Sequence, residues 1–487
     1  MNNIPFDPNF LRPKATPFTV NLCTLNFVVA ILGYSIVMAL LSPLGISADI
    51  SAGENRFFTW PFRAFAAGLG ALTLLQVRNR PTPKLDWRMV VFIIFWILYL
   101  ARAAWDLHVR DLRDLLSVAG YVGANYKLRT WNFIIFGTLV PILGIVKSID
   151  IIDFRKAANW IWFVGGCSLF VALRSVQMVA DAAWSDEAPG RANASAMLNT
   201  IAFGHLGVSV AIVAGYKLVS RHHANLFQRV FSIVIILVGM FVMVRAGSRG
   251  PLLCTFAVCF FYALSRSRYV GLGVILAGIF AGAAFAFMNQ ILAVIKIFSP
   301  TLAGRVLATV EAGDTSGRFE AWQRAWDEAC DNPLTGGHLD ILGYAHNACL
   351  DGFMMFGLLA GWIILVLVLI DYFAAYRVLR MHVHDWWVAL LAIQGVTAIQ
   401  TSGCMGGNGF MQCTFLVCLI WTSRDYIRRR AHEERMRAMF VQQVMLARNG
   451  VPIAPPPPLP PGQISPGQIS QQPFPPQPIP PSNAGNR

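Results

Sequence analysis

Charge is what this chain has least of. Asp, Glu, Lys and Arg make up 13% of its 487 residues, about half of the roughly 25% found in soluble globular domains. A chain of this length with so little charge cannot cover a water-soluble fold, which excludes soluble enzymes and nucleic-acid-binding domains. Metal and redox spacing is also missing. There are nine cysteines and no CxxC, so neither a zinc site nor a thioredoxin-like motif is signalled, and we expect no metal and no cofactor. Cys23, Cys167, Cys254, Cys259, Cys413 and Cys418 sit inside apolar blocks, where cysteine acts as a small hydrophobe. Cys330 and Cys349 share one long connection, which leaves a pairing between them open. A secreted disulfide scaffold is excluded.

What is present is hydrophobic: 56% of residues and a mean hydropathy of +0.54. The apolar residues come in blocks of about 20, the length that crosses a bilayer core of roughly 30 Å as a helix. The expectation is an all-α integral membrane protein whose membrane domain spans 1–422. Twelve helices are expected near 19–42, 63–77, 88–104, 130–147, 158–180, 200–216, 230–246, 250–264, 269–289, 353–374, 386–402 and 409–422. The first apolar run is too long for a signal-peptide core and reads as an uncleaved span. With both termini cytoplasmic, the inside connections carry Lys and Arg at about twice the density of the outside ones. Lys217–Arg229 and Ser265–Arg268 drive this orientation. Arg102–Arg129 opposes it, with five basic residues on the outer side among Asp106, Asp111 and Asp114. The net charge of +14 therefore points to cytoplasmic anchoring and not to nucleic acid.

Two regions are not spans. The connection 290–352 is the longest and is placed outside. Within it Phe319, Trp322 and Trp326 recur at helical spacing, Thr315 and Ser316 are candidate N-caps, and Asn332-Pro333 is a stop. Such a stripe either lies at the membrane interface or packs on neighbouring loops. At the C-terminus, 423–450 reads as a basic juxtamembrane helix whose Arg428-Arg429-Arg430 favours anionic membrane lipids. Residues 451–487 are proline-rich, with PGQIS twice in succession. They read as a disordered cytoplasmic tail, either passive or a docking segment for a protein partner.

The informative charges lie at outer helix ends. Arg174 lies in the fifth span, Arg191 in the loop DEAPGRANAS, and Arg245 and Arg249 flank the turn VRAGSRGP. Arg318 opens the amphipathic segment, and His346 precedes Asn347 shortly before the tenth span. Ionisable groups at the bilayer edge are costly and usually have a task. Five guanidiniums on one face repel each other unless an anion sits between them, and arginine grips phosphate oxygens in two-pronged fashion. Each also has a structural alternative: Arg174 pairs with Asp181 or snorkels, Arg245 anchors a helix end, and Gly247 and Gly250 simply permit a tight turn. His338 and Asp340 leave a metal site conceivable but lack a third ligand. His205 is expected to be a satisfied packing residue.

Three passages resemble the bacterial O-antigen ligase and O-antigen polymerase superfamily. AGSRGPLL at 246–253 resembles its glycine-serine-arginine turn. SGRFEAWQRAWDEACDNPLTGGHLD at 316–340 is similar to its GR-x-x-x-W helix and the asparagine-proline loop that follows. YAHNACLDGFMMFGLLAG at 344–361 fits HN-x9-G through His346, Asn347 and Gly357, with Ala360 where a glycine is frequent. Arg191 followed by Asn193 resembles the upstream loop arginine, although Leu198-Asn199 stands where proline-asparagine is usual. The match covers about 185–370. Its ordered combination is specific for the superfamily and not for one activity within it.

The resemblance implies a GT-C-like membrane glycosyltransferase of the bacterial inner membrane, with the long connection as a periplasmic loop containing short helices. The donor would be a glycan on a polyprenyl pyrophosphate. The acceptor would be a hydroxyl of lipid A-core in a ligase, or of a growing glycan in a polymerase. It assigns His346 as general base, Arg318 and Arg191 to the pyrophosphate, and Arg249 to the same site, with Asn347, Arg174 and Arg245 in substrate binding. Ligase is the leading expectation. A transporter of lipid-linked saccharides is the competing class, and mid-membrane charges would mark it. A scaffold acting through the proline-rich tail would leave the arginines unexplained.

Overall fold

A computed structural model of the protein describes residues 15–44, 56–80, 86–110, 126–179, 200–220, 225–266, 318–343, 345–381, 384–401 and 405–423, with a few isolated positions besides. Among them there are helices and turns and no strand. The expected ninth span, the segment 423–450 and the proline-rich tail lie largely or wholly outside the described residues.

Among the described residues, seven helices are long and apolar enough to cross a bilayer. They are α1 (Pro17–Leu41), α3 (Trp87–His108), α4 (Tyr126–Ser148), α5 (Phe154–Ser175), α6 (Ile201–Val219), α7 (Leu226–Arg245) and α11 (Trp362–Arg380). The expected spans at 63–77 and 250–264 are helices α2 (Arg56–Gln76) and α8 (Arg249–Arg266). The amphipathic segment is α9 (Arg318–Asp331), ending just before Asn332-Pro333 as its sequence demands. Three apolar helices are short: α10 (Ala348–Ala360), α12 (Trp387–Ile399) and α13 (Gly409–Trp421).

Helix starts follow local chemistry. Thr16 accepts the Thr19 N–H at 3.2 Å ahead of Pro17, and the Asp86 carboxylate accepts from Arg88 and Met89, each at 3.1 Å. Asn225 and Asn408 cap α7 and α13 in the same way. Each of these side chains satisfies an orphan N–H of a first turn.

The bundle is arranged around α12 and α13. Every residue of α12 is buried, and at 13 residues it spans about 20 Å, short of the hydrocarbon thickness. Longer helices shield it. Leu226, Phe227, Val230, Ile233, Leu237 and Phe241 on α7 are large and exposed, an apolar exterior that suits lipid and not water. Helices α6 and α7 approach so closely that a Cβ on Gly207 would come within 2.6 Å of the Gly239 carbonyl oxygen, the small-residue contact of membrane helix pairs.

The tenth span departs from its expected bounds of 353–374. The helical run from 348 breaks at Gly357, whose φ of 72° and ψ of −178° are not helical. Beyond it the chain turns at Gly361 into α11. A Cβ on Gly352 would lie 3.0 Å from both the Gly361 carbonyl oxygen and Ile364, so α10 folds back on the first turn of α11. Hydropathy cannot register this break, because FMMFGLLAGWII is apolar throughout.

Candidate functional site

Helix α9 is fixed to α10 by its buried face. Ala325 and Ala329 are buried, and the Trp326 ring meets Phe353 edge-on with centroids 5.9 Å apart. Trp322 packs half-buried against the core, while Phe319 and Trp326 stay exposed. Past Asp331 the backbone is stitched to α10 on both sides of the Gly357 break. Gly337 N–H donates to Met354 O at 2.6 Å, and Leu358 N–H donates to Pro333 O at 2.8 Å.

His346 sits at the end of this loop with φ of 60°, and it is the one non-glycine residue with positive φ among those described. A side chain in that region is strained, and such strain gathers at functional sites. The turn is held on both sides. Ala345 N–H donates to the Asp351 carboxylate at 2.6 Å, and the Asn347 side chain accepts from Cys349 and Leu350 N–H at 3.1 and 3.2 Å. Asn347 is therefore the N-cap of α10. Burial pushes the His346 pKa below 6.5, and the positive charge of Arg318 pushes it further down.

The sign of that shift has two consequences. The folded protein binds the proton less readily than the unfolded chain, so the contribution of His346 to stability is complete above pH 6.5 and falls as the pH drops below it. The imidazole also stays neutral to lower pH than an ordinary histidine, so its titration midpoint is expected below 6.5. Arg318→Gln, which removes the charge, is expected to move that midpoint upward, checked by NMR titration of the His346 ring. An unmoved midpoint would separate the two residues.

A second set of groups locks the loop to α3. Arg102 Nε donates to Asp106 at 2.8 Å within a pair whose side chains are 7% and 0% exposed. Arg102 Nη1 also donates to Thr335 O at 2.7 Å and to Gly336 O at 3.3 Å. Asp106 accepts Leu339 N–H at 2.8 Å, and Arg110 donates to Gly337 O. Tyr99 donates to Asp340 at 2.8 Å, and Asp340 in turn accepts Met405 N–H at 2.7 Å. Burial raises the Asp340 pKa against these donors. Arg102 and Arg110 thus hold backbone oxygens and a carboxylate.

The structure joins some of the candidate arginines and leaves others apart. Arg318 acts directly on His346. Arg245 and Arg249 flank a turn in which Gly247 has φ of 65°. A Cβ on Gly250 would lie 3.0 Å from the Thr401 hydroxyl, and the neighbouring Gln400 lies against the Cys349 thiol. The end of α12 therefore bridges this turn to the start of α10, beside Asn347. Arg174 is on the exposed side of α5, and no contact among the described residues ties it to His346. Arg191 and Asp181 lie outside the described residues.

One expectation changes. His205 is not satisfied: both ring nitrogens are buried without a hydrogen-bond partner among the described residues, and its backbone oxygen, not its ring, receives the Ser209 and Gln394 side chains. Of the pairing left open, Cys330 and Cys349 are both free thiols. His338 is committed to Glu328 at 2.7 Å and to Gly343 O at 3.1 Å, and no group of three or more His, Cys, Asp and Glu among the described residues could hold a metal ion.

Residues that sequence reading passed over include Tyr99, Arg102, Asp106 and Asp351. The (i, i+4) spacing of Arg102 and Asp106 at a helix end was the one available signal for a pair. Asp351 carried none. No family model and no curated protein matches the chain.

Proposed function

We propose that the protein is a metal-independent membrane glycosyltransferase of the O-antigen ligase kind, acting at the periplasmic face of a bacterial inner membrane. The donor is a glycan on a polyprenyl pyrophosphate, and the acceptor is a sugar hydroxyl of lipid A-core. The hydroxyl oxygen attacks the anomeric carbon, its proton passes to His346, and the bond to the pyrophosphate oxygen breaks. Negative charge develops on the departing pyrophosphate, where a fixed guanidinium stabilises it without a metal. Arg318 takes this role together with Arg191, and Arg249, at the bridged turn, extends the same positive surface. The observation that carries the reading is His346 in a strained turn, its pKa lowered by burial and by Arg318.

The test is release of polyprenyl pyrophosphate by the purified protein in liposomes. His346→Ala is expected to lower kcat about 10²–10⁴-fold; a fully active variant sinks the assignment. A lipopolysaccharide gel of a deletion strain then separates activities: O-chains stranded on the carrier mean ligase, and a single repeat unit on the core means polymerase.

One observation favours the transporter reading. Asp371, midway along α11, is 1% exposed. Neither of its oxygens has a hydrogen-bond partner among the described residues, and it faces a small cavity lined by Phe92, Leu367, Val396 and Met411. An intramembrane carboxyl without a partner is costly and marks transport pathways elsewhere. Turnover of donor by the purified protein without any ion gradient, retained in Asp371→Asn, would decide for the enzyme.

A further inference from the structure

The His346 turn is held by a carboxylate that no motif carries. Asp351 lies one turn into α10, fully buried. One oxygen accepts the Ala345 N–H at 2.6 Å, and its own N–H donates to Asn347 O at 2.9 Å. Side chain and backbone of this single residue thus grip the chain immediately before and immediately after His346. The other carboxylate oxygen is buried with no hydrogen-bond partner among the described residues, and the buried Asp340 lies close enough to repel it.

A half-satisfied buried acid beside a second acid is a poor way to stabilise a fold, because an unmade hydrogen bond in a dry site costs the full desolvation of the group. The His346 backbone is itself in a region that side chains disfavour. Two unfavourable features meeting at one turn call for an explanation beyond packing. The Asp351 acceptor supplies it: the Ala345 N–H can reach that oxygen only while the turn keeps its present course.

We propose that Asp351 is a positioning residue, whose carboxylate oxygen holds the Ala345–Asn347 turn and so keeps His346 in the left-handed conformation in which it serves as base. The inference rests on the transferase reading above and adds a second residue to that site. Asp351 touches neither donor nor acceptor. It acts through the backbone, so its loss displaces the base without removing a contact to substrate.

A double-mutant cycle in the liposome assay tests this, using His346→Ala, Asp351→Ala and the double variant, each normalised to monodisperse protein. Misplacing a catalytic group by about 1 Å costs on the order of 100-fold in rate. Asp351→Ala is expected to lose about that much in kcat, while KM for the donor stays within about twofold. The double variant is expected to be no slower than His346→Ala alone. Asp351→Asn, whose amide oxygen still accepts the Ala345 N–H, is expected to recover most of the rate, and Asp351→Glu, whose oxygen sits one methylene further out, is not. Losses that add in the double variant, or an unchanged kcat in Asp351→Ala, overturn the inference. Should Asp351→Ala not be recovered as folded protein, the asparagine and glutamate variants decide, and equal rates in the two overturn it. Full activity in His346→Ala is a different failure, since it removes the transferase reading itself.

Discussion

Asp106→Ala is expected to unseat the loop that carries the candidate site, at a cost of about 3–5 kcal/mol. The carboxylate is fully buried and is shared by Arg102 at 2.8 Å and Leu339 N–H at 2.8 Å. Removing it leaves the Arg102 guanidinium, itself 7% exposed, as a buried charge without its counter-ion. Breaking such a pair costs more than the pair contributes to stability. Because Arg102 also donates to Thr335 O and Gly336 O, the damage passes to the chain that leads into His346. The measurement is the thermal midpoint of the detergent-purified protein, with limited proteolysis across 332–345 as a local readout. A protein that melts as wild type does and resists cleavage there would show that the latch contributes little. Asp106→Asn, which keeps an acceptor for Leu339 and loses only the charge, is expected to fall between the two.

Gly357→Ala is the second large effect, and its cause is steric. The backbone at 357 has φ of 72° and ψ of −178°, a region essentially confined to glycine, with a cost of about 1–3 kcal/mol for other residues. An added Cβ would also collide with the Pro333 carbonyl oxygen, the acceptor for Leu358 N–H at 2.8 Å. The methyl therefore strains the break between α10 and α11 and pulls the 332–337 loop from its seat. Gly357→Ala is expected to accumulate poorly in the membrane, and what is recovered to melt well below wild type. Gly215→Ala is the control. That glycine lies within α6, and outside its own helix backbone nothing among the described residues stands within 4 Å of where its Cβ would be. Alanine there is expected to be neutral or slightly stabilising, because it helps a helix interior by about 0.5–1 kcal/mol. Equal melting of the two alanine variants would remove the steric account.

Much of the helical layout was legible because its signals are local. Apolar runs set the long helices, and the Asn332-Pro333 stop marked the end of α9, while its candidate caps Thr315 and Ser316 lie outside the described residues. Cap residues such as Asp86 and Asn225 acted where they stand in the chain. The tenth span was misread because its break is a change of backbone angle at one glycine within an unbroken apolar run. A hydropathy window sees composition and not dihedral angles.

The site divides in the same way. His346, Asn347 and Arg318 stood out because polar groups are conspicuous beside long apolar blocks. Asp351 did not stand out, since its meaning is a hydrogen bond to a backbone N–H six positions earlier. Arg102 looked like one more basic residue at a helix end, and only folding brought it to oxygens 233 and 234 positions away. The sequence by itself determined a helical protein with apolar spans, a polar connection and a short set of ionisable residues, because these follow from composition and near-neighbour spacing. Tertiary structure alone decided that Arg318 bears on His346 while Arg174 stands apart, that His205 goes unsatisfied, and that α3 clamps the loop. Each of these depends on contacts between distant segments, and the one-dimensional pattern of a chain carries no record of which distant backbone groups will meet.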